Sequence, residues 1–410
     1  MRRTVVLAIA LGLWTSSADA QTISERGFLE GKGFLFPQTA PNDSTRQVGD
    51  ALFREEIFLK PARWIQFAGG LDLRANSHDQ VENQWRLDWE DRGVLRPRAS
   101  LRRLTATVTA GPLTIDVGKQ FIRWARADIL NPTDRFAPRD FLNVIDSEFL
   151  AVTGARPSVR LGSETFEAVW VPRLTPSRMP LLDQRWTVLP PQAADLSIQD
   201  AGSRFPTRAQ YGARWSHTGG RFETALSYFD GFNHLPTIGV RPLESASAVE
   251  LTRIFPRLRT YGADMAIPTG LITIKAEAAY FKSPTGAFDN YALYVAELER
   301  QTGEWLLTAG YAGEVPTRTS ALLAFDPERG LARSIIGRAA YTVDPQRTVL
   351  IEGAVRQNGH GEYVKGEYSQ AVGQHWRVTL TGVGLAGHSN DFLGHYKRNS
   401  HISTALRFSF

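Results

Sequence analysis

Segments in which apolar and polar positions alternate with period two recur from about residue 27 to the last residue. In 271–282, Ile272, Ile274, Ala276, Ala278 and Tyr280 fall on one face, with Thr273, Lys275, Glu277 and Ala279 on the other. Segment 348–357 sets Val349, Ile351 and Val355 against Glu352 and Arg356. In 362–370, Val364, Gly366 and Tyr368 oppose Lys365, Glu367 and Ser369. The last ten residues place Ile402, Thr404, Leu406, Phe408 and Phe410 on one side and Ser403, Ala405, Arg407 and Ser409 on the other. Similar segments are predicted at 27–36, 50–60, 63–75, 98–109 and 113–124, and then within 148–161. The series continues at 165–172, 210–217, 221–229, 258–267, 291–299, 305–313, 334–343 and 376–385.

The connections alternate. Tight turns at 61–62, 110–112, 162–163, 218–220, 268–270, 301–303, 344–346 and 372–374 are interleaved with mostly longer polar stretches, and both ends of the series fall on the side of the tight turns. This gives nine hairpins at roughly 22 residues per strand and connection, the spacing of tilted strands of about ten residues. The pattern predicts an all-β, antiparallel up-and-down transmembrane barrel of about 18 strands, with 16 possible because the second pair and the return strand near 148–161 are weakly patterned. Period two alone fits a soluble sandwich as well. An exposed terminal Phe makes sense where the last strand closes on the first and its apolar face meets lipid. That end resembles the C-terminal strand of bacterial outer-membrane barrels, which implies that Phe410 serves as an assembly signal read by the barrel-assembly machinery. Trp305, Tyr311, Tyr341, Tyr368 and Trp376 lie where an aromatic girdle would.

The N-terminus carries Arg2 and Arg3, an apolar run over 5–14, and Ala18-Asp19-Ala20, the pattern of a secretory signal peptide at 1–20. The barrel is then expected over 21–410. No later run of eighteen apolar residues offers a spanning helix. The chain has no Cys, which excludes thiol chemistry and a disulfide-stapled domain. A modest apolar content of 42% with 35 Gly fits strands that are apolar on one side only. The formal charge of +5 is too small to point to nucleic acid, and no basic run with interleaved aromatics appears.

Candidate chemistry concentrates between 118 and 146. Gly118, Gln120, Trp124, Asp128, Asn131, Pro132 and Asp134 resemble the Gly-x-Gln-x-x-x-Trp-Gly-x-x-Asp and Asn-Pro-x-Asp pattern of an uncharacterised family of outer-membrane porin-like barrels. Ala125 stands where that family has Gly. The resemblance implies fold more firmly than substrate.

Segment 125–145 is the third long connection, and its charges alternate in sign: Arg123, Arg126, Asp128, Asp134, Arg135, Arg139, Asp140 and, just beyond, Asp146. Folded inward, it would narrow a pore, set up a transverse field, and need the inner wall to pack Phe136, Phe141 and Leu142. As a surface loop, it would be pinned by Arg–Asp bridges, with Asn131-Pro132 opening a turn. The expected lumen charges are Lys275, Glu277, Arg338, Glu352, Arg356, Lys365, Glu367, Arg377 and Arg407.

Other chemistry is thin. Asp128, Asn131 and Asp134 lack the Gly and terminal Glu of a calcium loop. His360, His375, His388, His395 and His401 lack metal-ligand spacing, and the consecutive His388-Ser389-Asn390 cannot form a hydrolase triad. Neither a cofactor nor an enzyme activity is expected. No plug-sized segment precedes the first strand, which points to passive diffusion of small polar or anionic solutes through an outer-membrane channel; the alternative is a closed structural or surface-interaction barrel.

Overall fold

The computed structural model describes residues 22–188, 196–243, 248–320 and 323–410. The expected leader at 1–20 lies outside them. Eighteen long antiparallel strands form a closed barrel. They are β1 (Thr22–Leu35), β2 (Gln47–Ala62), β3 (Ile65–Asn76), β4 (Ala99–Ala110), β5 (Leu113–Gln120), β6 (Val152–Leu161), β7 (Glu164–Val171), β8 (Gln210–Gly219) and β9 (Phe222–Phe232). The second half comprises β10 (Arg257–Pro268), β11 (Thr273–Lys282), β12 (Asn290–Thr302), β13 (Trp305–Arg318), β14 (Ser334–Asp344), β15 (Arg347–Arg356), β16 (Gly361–Val372), β17 (Trp376–Gly387) and β18 (His401–Ser409). Each strand pairs with its chain neighbour, and β18 pairs with β1 from Phe28↔Ser409 to Leu35↔Ile402. No edge is left open, which is how strands avoid unpaired backbone groups.

The alternation of the sequence becomes the two faces of the wall. On β11, Ala278 points outward while Glu277, Ala279 and Phe281 are buried inside. Ile351, Val355, Val364, Ile402 and Leu406 all lie on the exposed outer surface. Near the short turns, Trp305 packs on Tyr341 and Trp376 on Phe408, with ring centroids 4.6 and 5.0 Å apart.

Two features depart from the sequence pattern. The expected strand at 113–124 stops at Gln120, and Glu148–Phe149 pairs with Arg139–Asp140 inside the long connection, so the return strand begins only at Val152. At the long-loop end, Ser197–Arg204, Thr237–Pro242, Ala248–Ile254 and Leu323–Ala324 form a separate four-stranded sheet. These segments pair across loops distant in sequence, a relationship that local periodicity does not report.

The apolar core is inside the barrel. Ile122, Trp124, Leu130 and Phe136 from the 121–151 connection pack against inward-facing Val169, Phe229, Phe281 and Leu293. A second cluster joins Val144 and Trp186 to Val383, Leu393 and Tyr396.

Candidate pore and its constriction

The 121–151 connection folds into the lumen and is held by carboxylates projecting from the wall. Glu277 on β11 accepts the backbone N–H groups of Arg126 (2.9 Å) and Ala127 (3.0 Å) through one oxygen. Its other oxygen takes the N–H and hydroxyl of Thr133, both at 2.8 Å. Glu297 on β12 takes the N–H groups of Asp128 (3.0 Å) and Ile129 (3.2 Å). Successive N–H groups of an irregular segment have no ladder partner, and a buried carboxylate satisfies two of them at once. On neighbouring strands Asp264 stands directly across from Glu277, a like-charge pair that would be unfavourable alone. Arg126 resolves it, binding Asp264 at 2.7 Å and also Glu223, while Arg214 holds the other Asp264 oxygen at 2.8 Å.

The motif residues shape the loop. Asp134 accepts the N–H groups of Trp124 (2.6 Å) and Ala125 (2.8 Å) and pairs with Arg123 at 3.1 Å. Asn131 donates to the Ala127 carbonyl at 2.7 Å and accepts from Arg139 at 2.7 Å. The Trp124 indole N–H donates to Glu167, and Gln120 donates to the Gly154 carbonyl at 3.2 Å. Gly118 has φ +118°, and a Cβ there would lie 2.1 Å from the Leu104 carbonyl oxygen. At Gly212 a Cβ would meet the rings of Phe136 and Trp124 at 2.5 and 2.6 Å, so a bare wall is what lets the loop lie flat.

Most of the remaining charges are also paired. Asp128 receives Lys275 at 2.8 Å, which also binds Glu299. Arg135 is buried against Glu328 at 2.8 Å and lies over the Phe281 ring. The guanidiniums of Arg123 and Arg139 sit 4.1 and 4.0 Å from the centre of the Phe149 ring. Asp140 is buried between Arg96 (2.8 Å) and Arg178 (3.2 Å). Burial alone would raise its carboxyl, but these cations bring it down to about 2. Glu148 meets Arg54 (2.6 Å), Arg74 (2.7 Å) and Arg102 (2.7 Å), which hold it well below the usual carboxylate range despite burial.

The loop thus fills the side of the lumen formed by β7–β14. Along the opposite side runs a cavity of about 500 Å³. Its lining reaches from Arg377 and Arg407, next to the short turns, through Glu30, Arg54 and Arg74, to Asp50 and His78 at the long-loop end. Asp146 and Glu148 border it from the loop. Arg407 pairs with Glu30 at 2.8 Å, Lys365 lies 3.5 Å from Glu367, and Lys32 pairs with Asp146. Arg377 donates to the Ser369 hydroxyl at 3.0 Å and has no carboxylate partner among the described residues. A second space of about 230 Å³ lies between the loop and β14–β16, lined by Asp128, Asp134, Arg135, Arg139, Arg338 and Glu352. Glu352 accepts the Tyr363 hydroxyl at 2.8 Å, and Arg356 is tied to Asp391 at 3.2 Å.

The structure therefore separates the sequence-derived candidates. Glu277 and Asp140 are buried anchors, whereas Glu367, Arg377 and Arg407 line the larger cavity. Sequence reasoning missed Glu167, Asp264, Glu297 and Glu328, the acceptors that fix the loop. The legible signal for two of them was acidic residues at matching inward positions on adjacent strands.

No known sequence family matches the chain, and no curated protein matches it by sequence. Solved structures do share its fold. Pseudomonas aeruginosa OpdQ superposes with a TM-score of 0.55 at 10% identity, covering 96% of this chain and 99% of that one. A BenF-like porin from Pseudomonas fluorescens Pf-5 gives 0.57 at 9%, covering 96% and 98%. Acinetobacter baumannii OccAB4 gives 0.56 at 11%, covering 96% and 99%. The chain shares the barrel fold of these three structures.

Proposed function

We propose that this chain is a bacterial outer-membrane channel through which small polar solutes, anions among them, diffuse passively. The observation that carries this reading is the larger cavity, whose lining sets charged side chains among apolar ones from Arg377 and Arg407 next to the short turns to Asp50 and His78 at the long-loop end, beside a loop that fills the other side of the lumen. A structural barrel has no need of charged side chains spaced along such a cavity. In a narrow, low-dielectric passage such side chains replace part of a solute's hydration shell and select by charge. Arg377 supports the anionic preference, since most other cations along the cavity are already neutralised by a carboxylate. The fold shared with the BenF-like porin fits the same reading, as does the apolar outer surface. The resemblance of the 118–134 motif to an uncharacterised porin-like family is consistent with it, and Phe410 is assigned as the end presented to the assembly machinery.

The test is single-channel recording in planar bilayers under a salt gradient. We expect discrete conductance with a reversal potential favouring anions, shifted toward cations in Arg377→Gln. A correctly folded barrel that conducts nothing would establish the closed, surface-interaction alternative.

A further inference from the structure

Strand β5 pairs with β4 only from Leu104 to Ala110, so the far end of β4 lacks a neighbour on that side. The connection 77–98 fills the gap: Leu87 and Asp88 run parallel to β4 in register with Ala99 and Ser100. Residues paired in register point to the same face of a sheet. Asp88 therefore shares the inner face of Ser100 and Asp72, and Leu87 shares the outer face of Ala99 and Leu73. The register extends that outer row without interruption through Leu73↔Phe53, Phe53↔Leu29 and Leu29↔Phe408. A loop residue thus ends an apolar row that begins at the last strand.

Leu87 is flanked at period two by Trp85 and Trp89, which are 72% and 65% exposed. Their exposure does not come from a loose loop. The Asp88 carboxylate accepts the N–H groups of Glu90 and Asp91, at 3.2 and 3.1 Å. Asp91 is in turn locked to Lys119 (2.5 Å) and Arg178 (2.8 Å). Two large indoles held outward on a fixed support are otherwise an unexplained apolar patch. The Arg98 guanidinium lies 5.2 Å from the Trp85 ring centre, and Arg86 is exposed beside it. Indoles prefer the boundary between acyl chains and headgroups, and guanidinium groups pair with phosphate.

We propose that Trp85, Leu87 and Trp89 are a membrane-contacting patch, a loop segment that completes the barrel wall and inserts into the leaflet at the long-loop end, with Arg86 and Arg98 meeting anionic lipid headgroups. This rests on the reading of the chain as a membrane channel. The chain contains no Cys, so single spin labels can be placed cleanly on the full-length protein in vesicles of phosphatidylglycerol and phosphatidylethanolamine. Labels go on Leu87→Cys and, independently, Trp85→Cys. Ile351→Cys on the outer face of β15 serves as the lipid reference and Val240→Cys in the loop sheet as the water reference. We expect oxygen to relax the labels at 85 and 87 more than a water-soluble nickel chelate does, as at 351 and opposite to 240. Nickel dominance at 85 and 87 with a lipid-like 351 overturns the patch alone. Protection from both agents at 85 and 87 overturns it in favour of a second copy of the chain. Nickel dominance at 351 as well overturns the membrane reading beneath it.

Discussion

Glu277 receives both the backbone N–H and the hydroxyl of Thr133, each at 2.8 Å, across a sequence separation of 144 residues. One wall carboxylate thereby fixes the middle of the constricting loop, and its second oxygen fixes the loop's entry at Arg126 and Ala127. Replacing it leaves buried N–H groups unpaired, each costing about 1–3 kcal/mol. For Glu277→Ala we expect an intact barrel by heat-modifiable gel mobility, a loop newly open to proteolysis, and larger, noisier single-channel currents. Wild-type currents from a folded variant would mean that the loop is held without Glu277.

Adjacent residues on β11 should respond in opposite ways to substitution. Ile274 faces outward between Ile267 and Leu298, one residue inside the short-turn end of β11, so Ile274→Arg should destabilise the barrel by less than the about 2–4 kcal/mol that an outward arginine costs at the midplane. Lys275 points inward to Asp128 and Glu299, so Lys275→Gln should leave barrel stability unchanged and loosen only the loop. Urea titration of refolding into vesicles measures both. Equal destabilisation would show that the two faces have been misassigned.

Closure of the barrel should depend on its last residue. Phe410 exchanges backbone hydrogen bonds with Gly27 at 3.1 and 3.2 Å, and its ring stacks on Phe53 at 6.1 Å. Deleting it removes both bonds and a lipid-facing ring from the seam between first and last strands. We expect slower insertion and a lower yield of folded barrel in the outer membrane. Kinetics identical to the full chain would assign the seam's strength to the upstream pairs, such as Leu29↔Phe408.

The fold was legible because each strand carries its own record. In 271–282 a period of two separates Ile274 from Lys275 with no knowledge of the neighbours, and turn residues such as Gly162 mark where the wall reverses. The inner arrangement has no such local record. Asp140 looks like a lumen charge until Arg96 and Arg178, from two other connections, arrive on either side of it. Glu277 fell on the inward face of its segment, yet nothing nearby in sequence says that Asp264 will stand across from it or that Arg126 and four donors of a distant loop will occupy the two. Trp85 and Trp89 were likewise invisible as wall residues, since only the register Leu87↔Ala99 gives that part of the connection an outer face.

A pH response should follow from the segment 325–333, which braces the constricting loop. Phe325 packs edge-on against Phe141, Glu328 pairs with Arg135, and Arg329 reaches Glu314 (2.7 Å) and Asp289 (2.9 Å). Asp326 lies within this brace with one carboxylate oxygen lacking a hydrogen-bond partner. Burial raises it to about 7, the nearby Arg329 opposing and Glu328 reinforcing the shift. A carboxyl raised in the folded state contributes stability that is complete below its usual value near 4 and is lost as pH rises through about 7. His234, 3.3 Å from Glu328, acts in the other direction: burial lowers it to about 4, so its contribution is present above its usual range and fades as pH falls. Comparing wild type with Asp326→Asn at each pH cancels the histidine. We expect hydrogen exchange of amides 328–333, corrected for intrinsic rates, to be faster in wild type than in the variant at pH 8 and equal in the two near pH 4. Current fluctuations should follow the same order. A difference that is constant across this range would mean that Asp326 keeps one protonation state throughout and that the brace does not respond to pH through it.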